Sequence, residues 1–302
     1  MRASFGLTLA LALAGVAPAA AWLTPGHRMV TLAAVEALPA DFPAFFRAGA
    51  GSVAHLSVDP DLHKNSGAPE LKVREEPEHY LDLERLGGRP LPPTRAELFW
   101  TMAEIGRGPA DFGFAPYAVI EGTQRLALCF AEHRRWPGNE IVRAKCLVYA
   151  GLLAHYAADL EQPLHTTIHH DGWALPDGGS PFTGIHRRVD ALFERVVFDS
   201  AGAVAGLAPE PFADLRQGVL AELEASHARL DAAYRLEPAL AAEGGLADPA
   251  VVAFTCERYR ATALFIARLF ATAWEQSARL ELPSWLLRES DALEPARPAR
   301  QP

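Results

Sequence analysis

The sequence predicts an all-α fold that forms one domain. Apolar residues recur at helical spacing in several long segments, and no segment shows convincing strand alternation. A chain of 302 residues is long enough for one large domain, and neither an internal repeat nor an interdomain linker interrupts it. We therefore expect a helical domain over 22–289, preceded by a leader at 1–21 and followed by a disordered tail at 290–302, which lacks apolar content.

The first 21 residues have the features of a secretory signal peptide. Arg2 precedes an apolar run that ends in the small residues Ala19, Ala20 and Ala21. The run is shorter than a membrane-spanning helix requires. Cleavage after Ala21 would give Trp22 a free amine, which could chelate a metal ion together with the carbonyl oxygen of the same residue. The expected location is the periplasm or the medium.

Periodicity and helix-capping residues predict the helices in order. Thr94, followed by Glu97 three residues later, forms a capping box. Pro163 ends the longest early helix and places His165 just beyond it. Asp248-Pro249 is a typical helix start. The predicted helices are 27–38, a helix after Thr94, 116–134, 138–160, 184–198, 209–234 and 249–277, with a Gly-, Pro- and Asp-rich loop over 166–184.

Histidine and aspartate recur at spacings that suit a metal site. In H-Y-A-A-D-L-E-Q-P-L-H, His155 and Asp159 lie one helical turn apart, and His186 and Asp190 repeat this spacing in G-I-H-R-R-V-D. Imidazole and carboxylate together suit zinc, with three or four protein ligands per ion. His155 alone would be compatible with an ordinary core histidine. Two such pairs, with His165 at a turn between them, favour a metal centre, because buried carboxylates are rare unless they are paired.

These motifs resemble those of the phospholipase C/P1 nuclease superfamily of trinuclear zinc phosphodiesterases. The segment H-x-x-x-D-x-x-Q-P-[LM]-H is the most specific element of that family and is intact here. The resemblance spans most of the chain after the leader and implies a multi-helix fold of that family. It implies three zinc ions, held by Trp22, His27 and Asp159, by Asp61, His79, His155 and Asp159, and by His165, His186 and Asp190.

The second ligand segment, S-V-D-P-D-L-H-K, leaves alternatives open. Asp59 and His63 compete with Asp61 as the ligand. Asp61 is preferred because Lys64 then falls three residues later, where nuclease members of the family place a phosphate-binding arginine. Asp82 matches a position that nuclease members use for base recognition, but phospholipase members also carry an aspartate there.

The resemblance also implies the reaction. Zinc ions lower the pKa of bound water and so make a nucleophile available near neutral pH. Asp61 and Asp159 would hold the ions, and Lys64 could neutralise a non-bridging phosphate oxygen. We expect a phosphodiester hydrolase with these three residues in the catalytic machinery, and Lys64 and Asp82 in contact with substrate.

The substrate is the least determined feature. The short spacing between Trp22 and His27, and Asp190 as the last ligand, favour an S1/P1-type endonuclease and 3′-nucleotidase that cleaves single-stranded DNA or RNA. The absence of the G-G-N segment of the family and the motif G-I-H-R-R-V-D-A-L-F favour the alternative, a zinc-dependent phospholipase C. A second alternative is an exported zinc-binding protein without enzymatic activity.

Charge and cysteine content add two constraints. The net charge of −9 argues against a sequence-specific reader of duplex DNA, which would need a basic surface, although three zinc ions would add roughly six positive charges at the cleft. Cys129, Cys146 and Cys256 are compatible with one disulfide and a third thiol, or with buried thiols, and their connectivity stays open. We expect a monomer.

Overall fold

The computed structural model describes residues 22–177 and 179–287, and helices dominate this part of the chain. Its only strand-like pairing is an isolated antiparallel bridge between Leu81 and Gly113. The α-helices are α1 (Thr24–Glu36), α2 (Ala44–Ala48), α3 (Ala50–Leu56), α4 (Asp59–His63), α5 (Pro69–Glu75), α6 (Arg95–Glu104), α7 (Ala115–Arg135), α8 (Glu140–Leu160), α9 (Ile185–Asp190), α10 (Leu192–Arg195), α11 (Ser200–Val204), α12 (Leu215–His227), α13 (Leu230–Arg235), α14 (Glu237–Ala241) and α15 (Pro249–Ser277). Short 3₁₀ helices span Glu76–His79, Leu83–Leu86, Pro109–Asp111, Pro163–Thr166 and Gly245–Ala247. The prediction of an all-α, single-domain fold is confirmed. The predicted leader at 1–21 and the predicted tail at 290–302 lie outside the described residues.

The core lies where α7, α8 and α15 pack together; α1 packs against α8 and α15, and α3 packs against α1 and α8. Phe130 of α7 contacts both Phe46 of α2 and Trp274 of α15 with ring centroids 5.4–5.5 Å apart. Burial of such aromatic and aliphatic side chains is the main stabilising term in a domain of this size. This packing holds α8, which carries two of the predicted metal ligands, in the middle of the molecule.

Capping residues fix the starts of three helices, and those at Thr94 and Asp248 were predicted. Thr94 accepts a hydrogen bond from the backbone of Glu97, whose carboxylate accepts one from the Thr94 backbone, so the capping box is present. Asp248 caps α15 through the backbone N–H of Ala250. The carboxamide oxygen of Asn139 accepts hydrogen bonds from the first turn of α8, which therefore begins at residue 140 and not at 138.

Three other predicted helices also need correction. The first begins at Thr24 and ends at Glu36, which places His27 inside the helix rather than at its start. The segment 184–198 forms two short helices, α9 and α10, instead of one. The second helix ends at Arg195, because the backbone of Val196 is extended. The segment 209–234 becomes helical only at residue 215, after two prolines, where the Asp214 carboxylate caps α12. It is then divided into α12 and α13.

The structure has several short helices that the sequence did not predict, including α2 to α5, α11 and α14. Each has one or two turns, too few for an apolar period to be recognised. No helix among the described residues is long and apolar enough to span a bilayer.

Candidate metal centre

Histidine and aspartate side chains from distant parts of the chain meet around His155 and Asp159 of α8. They come from α1, α4, the 3₁₀ helix at Glu76–His79, α8, the 3₁₀ helix at Pro163–Thr166, and α9. They form three groups in which the potential ligand atoms lie within 4.8 Å of one another: His27, His155 and Asp159; Asp61, His79 and His155; and His165, His186 and Asp190. Each of these groups could hold a metal ion.

The three residues of the first group are fully buried. The ring of His27 stacks on that of His155 with centroids 4.1 Å apart, and His27 Nε2 lies 3.3 Å from Asp159 Oδ1. Neither ring nitrogen of His27 has a hydrogen-bond partner among the described residues, and Asp159 Oδ1 also lacks one. Buried polar atoms without partners are costly, so this arrangement fits a bound cation.

A backbone contact orients His155. Its Nδ1 lies 2.8 Å from the carbonyl oxygen of Ser57, which can only accept, so Nδ1 carries a hydrogen and Nε2 faces the other ligand atoms. Gly151, one turn earlier in α8, allows α3 to approach, because a Cβ atom there would lie 2.5 Å from Leu56 Cβ. The glycine therefore helps to bring the Ser57 carbonyl within reach of His155.

The second group shares His155 with the first, and its His79 faces the Asp159 carboxylate. His79 Nδ1 lies 2.7 Å from Asp159 Oδ2 and 3.0 Å from His155 Nε2. Asp61 Oδ1 lies 3.8 Å from His155 Nε2 and 2.6 Å from the ammonium of Lys64. The two carboxylate oxygens of Asp159 thus face different groups, as a bridging ligand requires.

The structure distinguishes the candidates in the segment that contains α4. Asp61 belongs to the second group, whereas neither Asp59 nor His63 belongs to any of the three. The ring of His63 instead faces Glu75, with His63 Nδ1 3.9 Å from Glu75 Oε1. This placement favours Asp61 as the ligand.

The third group adjoins the second through a contact between His165 and the backbone of His79. His165 Nδ1 donates to the carbonyl oxygen of His79 at 2.7 Å, which leaves His165 Nε2 as an acceptor 2.9 Å from His186 Nε2. Asp190 Oδ2 lies 3.5 Å from the same nitrogen of His186, and Asp190 Oδ1 accepts a hydrogen bond from Gln162 at 2.7 Å. All three ligand atoms therefore converge on one point.

Burial also sets the protonation of these groups. It lowers the pKa of His27 to about 3 and that of His79 to about 4, so both rings are neutral near pH 7 and offer lone pairs. Burial raises the pKa of Asp190 well above its usual range, and the hydrogen bond from Gln162 offsets this only in part. A divalent cation beside Asp190 would favour its ionised form.

Trp22 packs beside the site. Its indole stacks on Phe193 with ring centroids 3.7 Å apart, and its Nε1 donates to the carbonyl oxygen of Ala158 at 2.9 Å. The backbone N–H of Leu23 donates to the carbonyl oxygen of Asp190 at 3.1 Å. The chain at Trp22 is therefore fixed next to ligand residues of α8 and α9. Because residues 1–21 lie outside the described part, its free amine remains a predicted ligand.

A cleft gives access to the ligands of the second and third groups. Lys64, His79, Asp82, His165 and His186 line it together with Glu76, Tyr80 and His170. Its volume of ≈ 250 Å³ is close to the lower end for ligand pockets, roughly 300–1,000 Å³, so it would admit a phosphodiester group rather than a whole polymer. Burial raises the pKa of Asp82 to about 7, so near neutral pH this residue can donate as well as accept a hydrogen bond.

Three supporting residues were not predicted from the sequence. Gln162 belongs to the Q-P-L-H motif, but its contact with Asp190 depends on the fold. Ser57 acts through its carbonyl oxygen, which leaves no signal in the sequence. The carboxylate of Asp171 accepts hydrogen bonds from the backbone N–H groups of Gly184 and His186, and so fixes the start of α9.

The structure thus brings the predicted histidine and aspartate ligands together in one site, with Lys64 and Asp82 at its cleft. Searches with the whole sequence found no matching protein-family model and no matching curated protein.

Proposed function

We propose that this chain is an exported phosphodiester hydrolase with three zinc ions, of the S1/P1 nuclease type, that cleaves single-stranded nucleic acid. One observation carries the proposal: the carboxylate of Asp159 lies between His27 and His79, so that it can serve two ligand groups at once. A simple ion pair or a core histidine would not need a carboxylate shared in this way. The third group, whose His165 donates to the carbonyl oxygen of His79, supports a trinuclear arrangement.

The donor set favours zinc. Each group combines imidazole nitrogens with at least one carboxylate oxygen, and zinc binds this mixture readily. Magnesium and calcium prefer sites made of oxygen ligands. His155 and His165 are held by backbone carbonyl oxygens, an outer-shell contact that is common for histidine ligands of zinc.

The residues of the chain would bind and orient the substrate. When bound, the zinc ions would polarise the phosphate and lower the pKa of a water molecule. The ammonium of Lys64 lies in the cleft, held by Asp61, where it can pair with a non-bridging phosphate oxygen. Asp82 faces the same cleft and can hydrogen-bond to a neighbouring group of the substrate, such as a base edge.

A nuclease is favoured over a phospholipase C by two features of the sequence: the short spacing between Trp22 and His27, and Asp190 as the last ligand. The motif G-I-H-R-R-V-D-A-L-F favours the alternative function, a phospholipase C. Both reactions would use the same metal centre. A zinc-binding protein without activity is the third reading. The cleft at His165 and His186 argues against it, because storage needs no open access to the ligands.

Two assays, carried out one after the other, test the proposal. The zinc-loaded mature protein should hydrolyse bis-p-nitrophenyl phosphate, and Asp159→Asn should abolish most of this activity. Single-stranded DNA, single-stranded RNA and phosphatidylcholine vesicles are then compared at equal enzyme concentration. We expect cleavage of the nucleic acids. Cleavage of phosphatidylcholine alone would establish the phospholipase reading, and full zinc loading without any hydrolysis would reject an enzyme.

A further inference from the structure

Two buried cysteines lie on the helical hairpin formed by α7 and α8. Cys129 on α7 is 4% exposed, and Cys146 on α8 is fully buried. The short turn at 136–139 joins the two helices, so they run antiparallel. Gly122 and Leu153 mark a close contact between them, because a Cβ atom at Gly122 would lie 3.2 Å from Leu153 Cδ1 and 3.8 Å from its Cα.

The register of the hairpin places the cysteines opposite each other. Cys129 comes seven residues after Gly122, and Cys146 comes seven residues before Leu153. Seven residues make almost two helical turns, with a drift of only ~20° around the helix. The two cysteines therefore occupy the same facing positions as Gly122 and Leu153, two turns closer to the connecting turn.

An ion pair supports this register, and the direction of the Cys146 pKa shift agrees with it. The ammonium of Lys145 pairs with the carboxylate of Glu132, one turn beyond Cys129 on α7. Burial raises the pKa of Cys146, and the adjacent Cys129 thiol raises it further. The two thiols therefore lie close enough to affect each other.

The third cysteine cannot reach this pair. Phe130 of α7 packs against Trp274 of α15 with ring centroids 5.4 Å apart, so Cys129 lies level with that part of α15. Cys256 comes 18 residues before Trp274 in the same helix, which is about 27 Å along the axis. In a disulfide, the Cα atoms of the two cysteines lie roughly 4.4–6.8 Å apart. Pairing of Cys256 with Cys129 would therefore require the helices to separate.

We propose that Cys129 and Cys146 form a disulfide that ties α8 to α7 when the chain folds in an oxidising compartment. A disulfide of an external oxidant, either a dithiol oxidoreductase or oxidised glutathione, is reduced as the bond between the two Sγ atoms forms. The two thiol hydrogens pass to the two sulfur atoms of the oxidant. Because the thiols are buried in the folded hairpin, the exchange occurs during folding, before α7 and α8 pack.

The bond would stabilise the helix that carries His155 and Asp159. It closes a short loop, from 129 to 146, and so restricts the unfolded chain. We expect the oxidised protein to melt roughly 6–12 °C above the same protein refolded without an oxidant. Comparing two redox forms of one sequence avoids the packing defects that a cysteine substitution would create.

The test uses the complete mature chain. The protein is unfolded and reduced, then refolded with zinc in a mixture of oxidised and reduced glutathione, and its thiols are counted with N-ethylmaleimide in denaturant. We expect one N-ethylmaleimide adduct, on Cys256. Before labelling, the oxidised chain should have a mass lower than that of the reduced chain by two hydrogen atoms. Tryptic mapping should join the peptide LALCFAEHR to the peptide that begins at Cys146. The variant Cys256→Ser is the matched control: it should keep the cross-link and take up no adduct.

Three results would overturn the proposal. They are three adducts after oxidative refolding, a linkage that includes Cys256, or equal melting temperatures for the two redox forms. Should refolding fail, the same mapping is applied to protein secreted into the bacterial periplasm, with the same expected result. Because the readout is a mass, it does not depend on the metal centre or on hydrolase activity.

Discussion

Asp159→Asn is the substitution with the largest expected effect on the metal centre. The change keeps the size of the side chain and one of its oxygen atoms, but it removes a charge that two ligand groups share. Asp159 Oδ1 lies 3.3 Å from His27 Nε2, and Asp159 Oδ2 lies 2.7 Å from His79 Nδ1. The amide that replaces one oxygen would direct hydrogens towards one of these groups.

The magnitude follows from the electrostatics of a buried carboxylate. Two unit charges about 4 Å apart interact by about 4 kcal/mol at an effective dielectric constant of about 20. Even this single-charge value, taken as a lower bound for a divalent ion, corresponds to an affinity about 10³-fold weaker. The loss should affect two ions, because the carboxylate faces both groups. Asp190→Asn should affect only the third group.

The assay is zinc stoichiometry after dialysis against a competing chelator, with the rate of bis-p-nitrophenyl phosphate hydrolysis measured in parallel. Asp159→Asn should lose more zinc and more activity than Asp190→Asn. Both variants should stay helical by circular dichroism, because neither change touches the apolar core, although loss of metal should lower their melting temperatures. Full zinc content and a near-normal rate for Asp159→Asn would refute the bridging role.

Three more predictions concern the rest of the site. Asp61→Asn should weaken zinc binding while Asp59→Asn, on the same helix but outside the three groups, should not; equal effects in a zinc titration would undo the assignment. A version with one extra residue ahead of Trp22 lacks the free amine, so it should bind less zinc and turn over more slowly than the mature chain; unchanged zinc content and unchanged turnover would remove Trp22 from the site. Lys64→Met should retain its zinc but lower kcat/KM by about 10²–10³-fold, as does removal of an oxyanion-stabilising donor elsewhere; a normal rate would exclude contact between Lys64 and the phosphate.

The sequence was sufficient for the long helices. α7, α8 and α15 are long and rich in apolar residues, Pro116 lies in the first turn of α7, and Asn139 and Asp248 cap α8 and α15, so their type and approximate bounds follow from local physics. The short helices between residues 44 and 75 were not predicted, because helices of one or two turns are marginal alone and depend on packing against the rest of the fold.

The candidate site was predictable in its residues but not in its geometry. The spacing of His155 and Asp159 on one helix shows from sequence alone that they share a face. Whether His27 and His79 reach the same carboxylate depends on how α1 and the 3₁₀ helix at Glu76–His79 pack on α8, and no local pattern encodes that. The preference for Asp61 over Asp59 came from the family resemblance, and its place in a ligand group depends on the fold.

The most direct test of the central claim is diffraction from crystals of the zinc-loaded mature protein at the zinc absorption edge. The account predicts three anomalous peaks in one site: one between His27 and Asp159, one beside His79 and Asp61, and one between His165 and His186. Peaks confined to the surface, or no peak next to Asp159, would contradict the trinuclear centre.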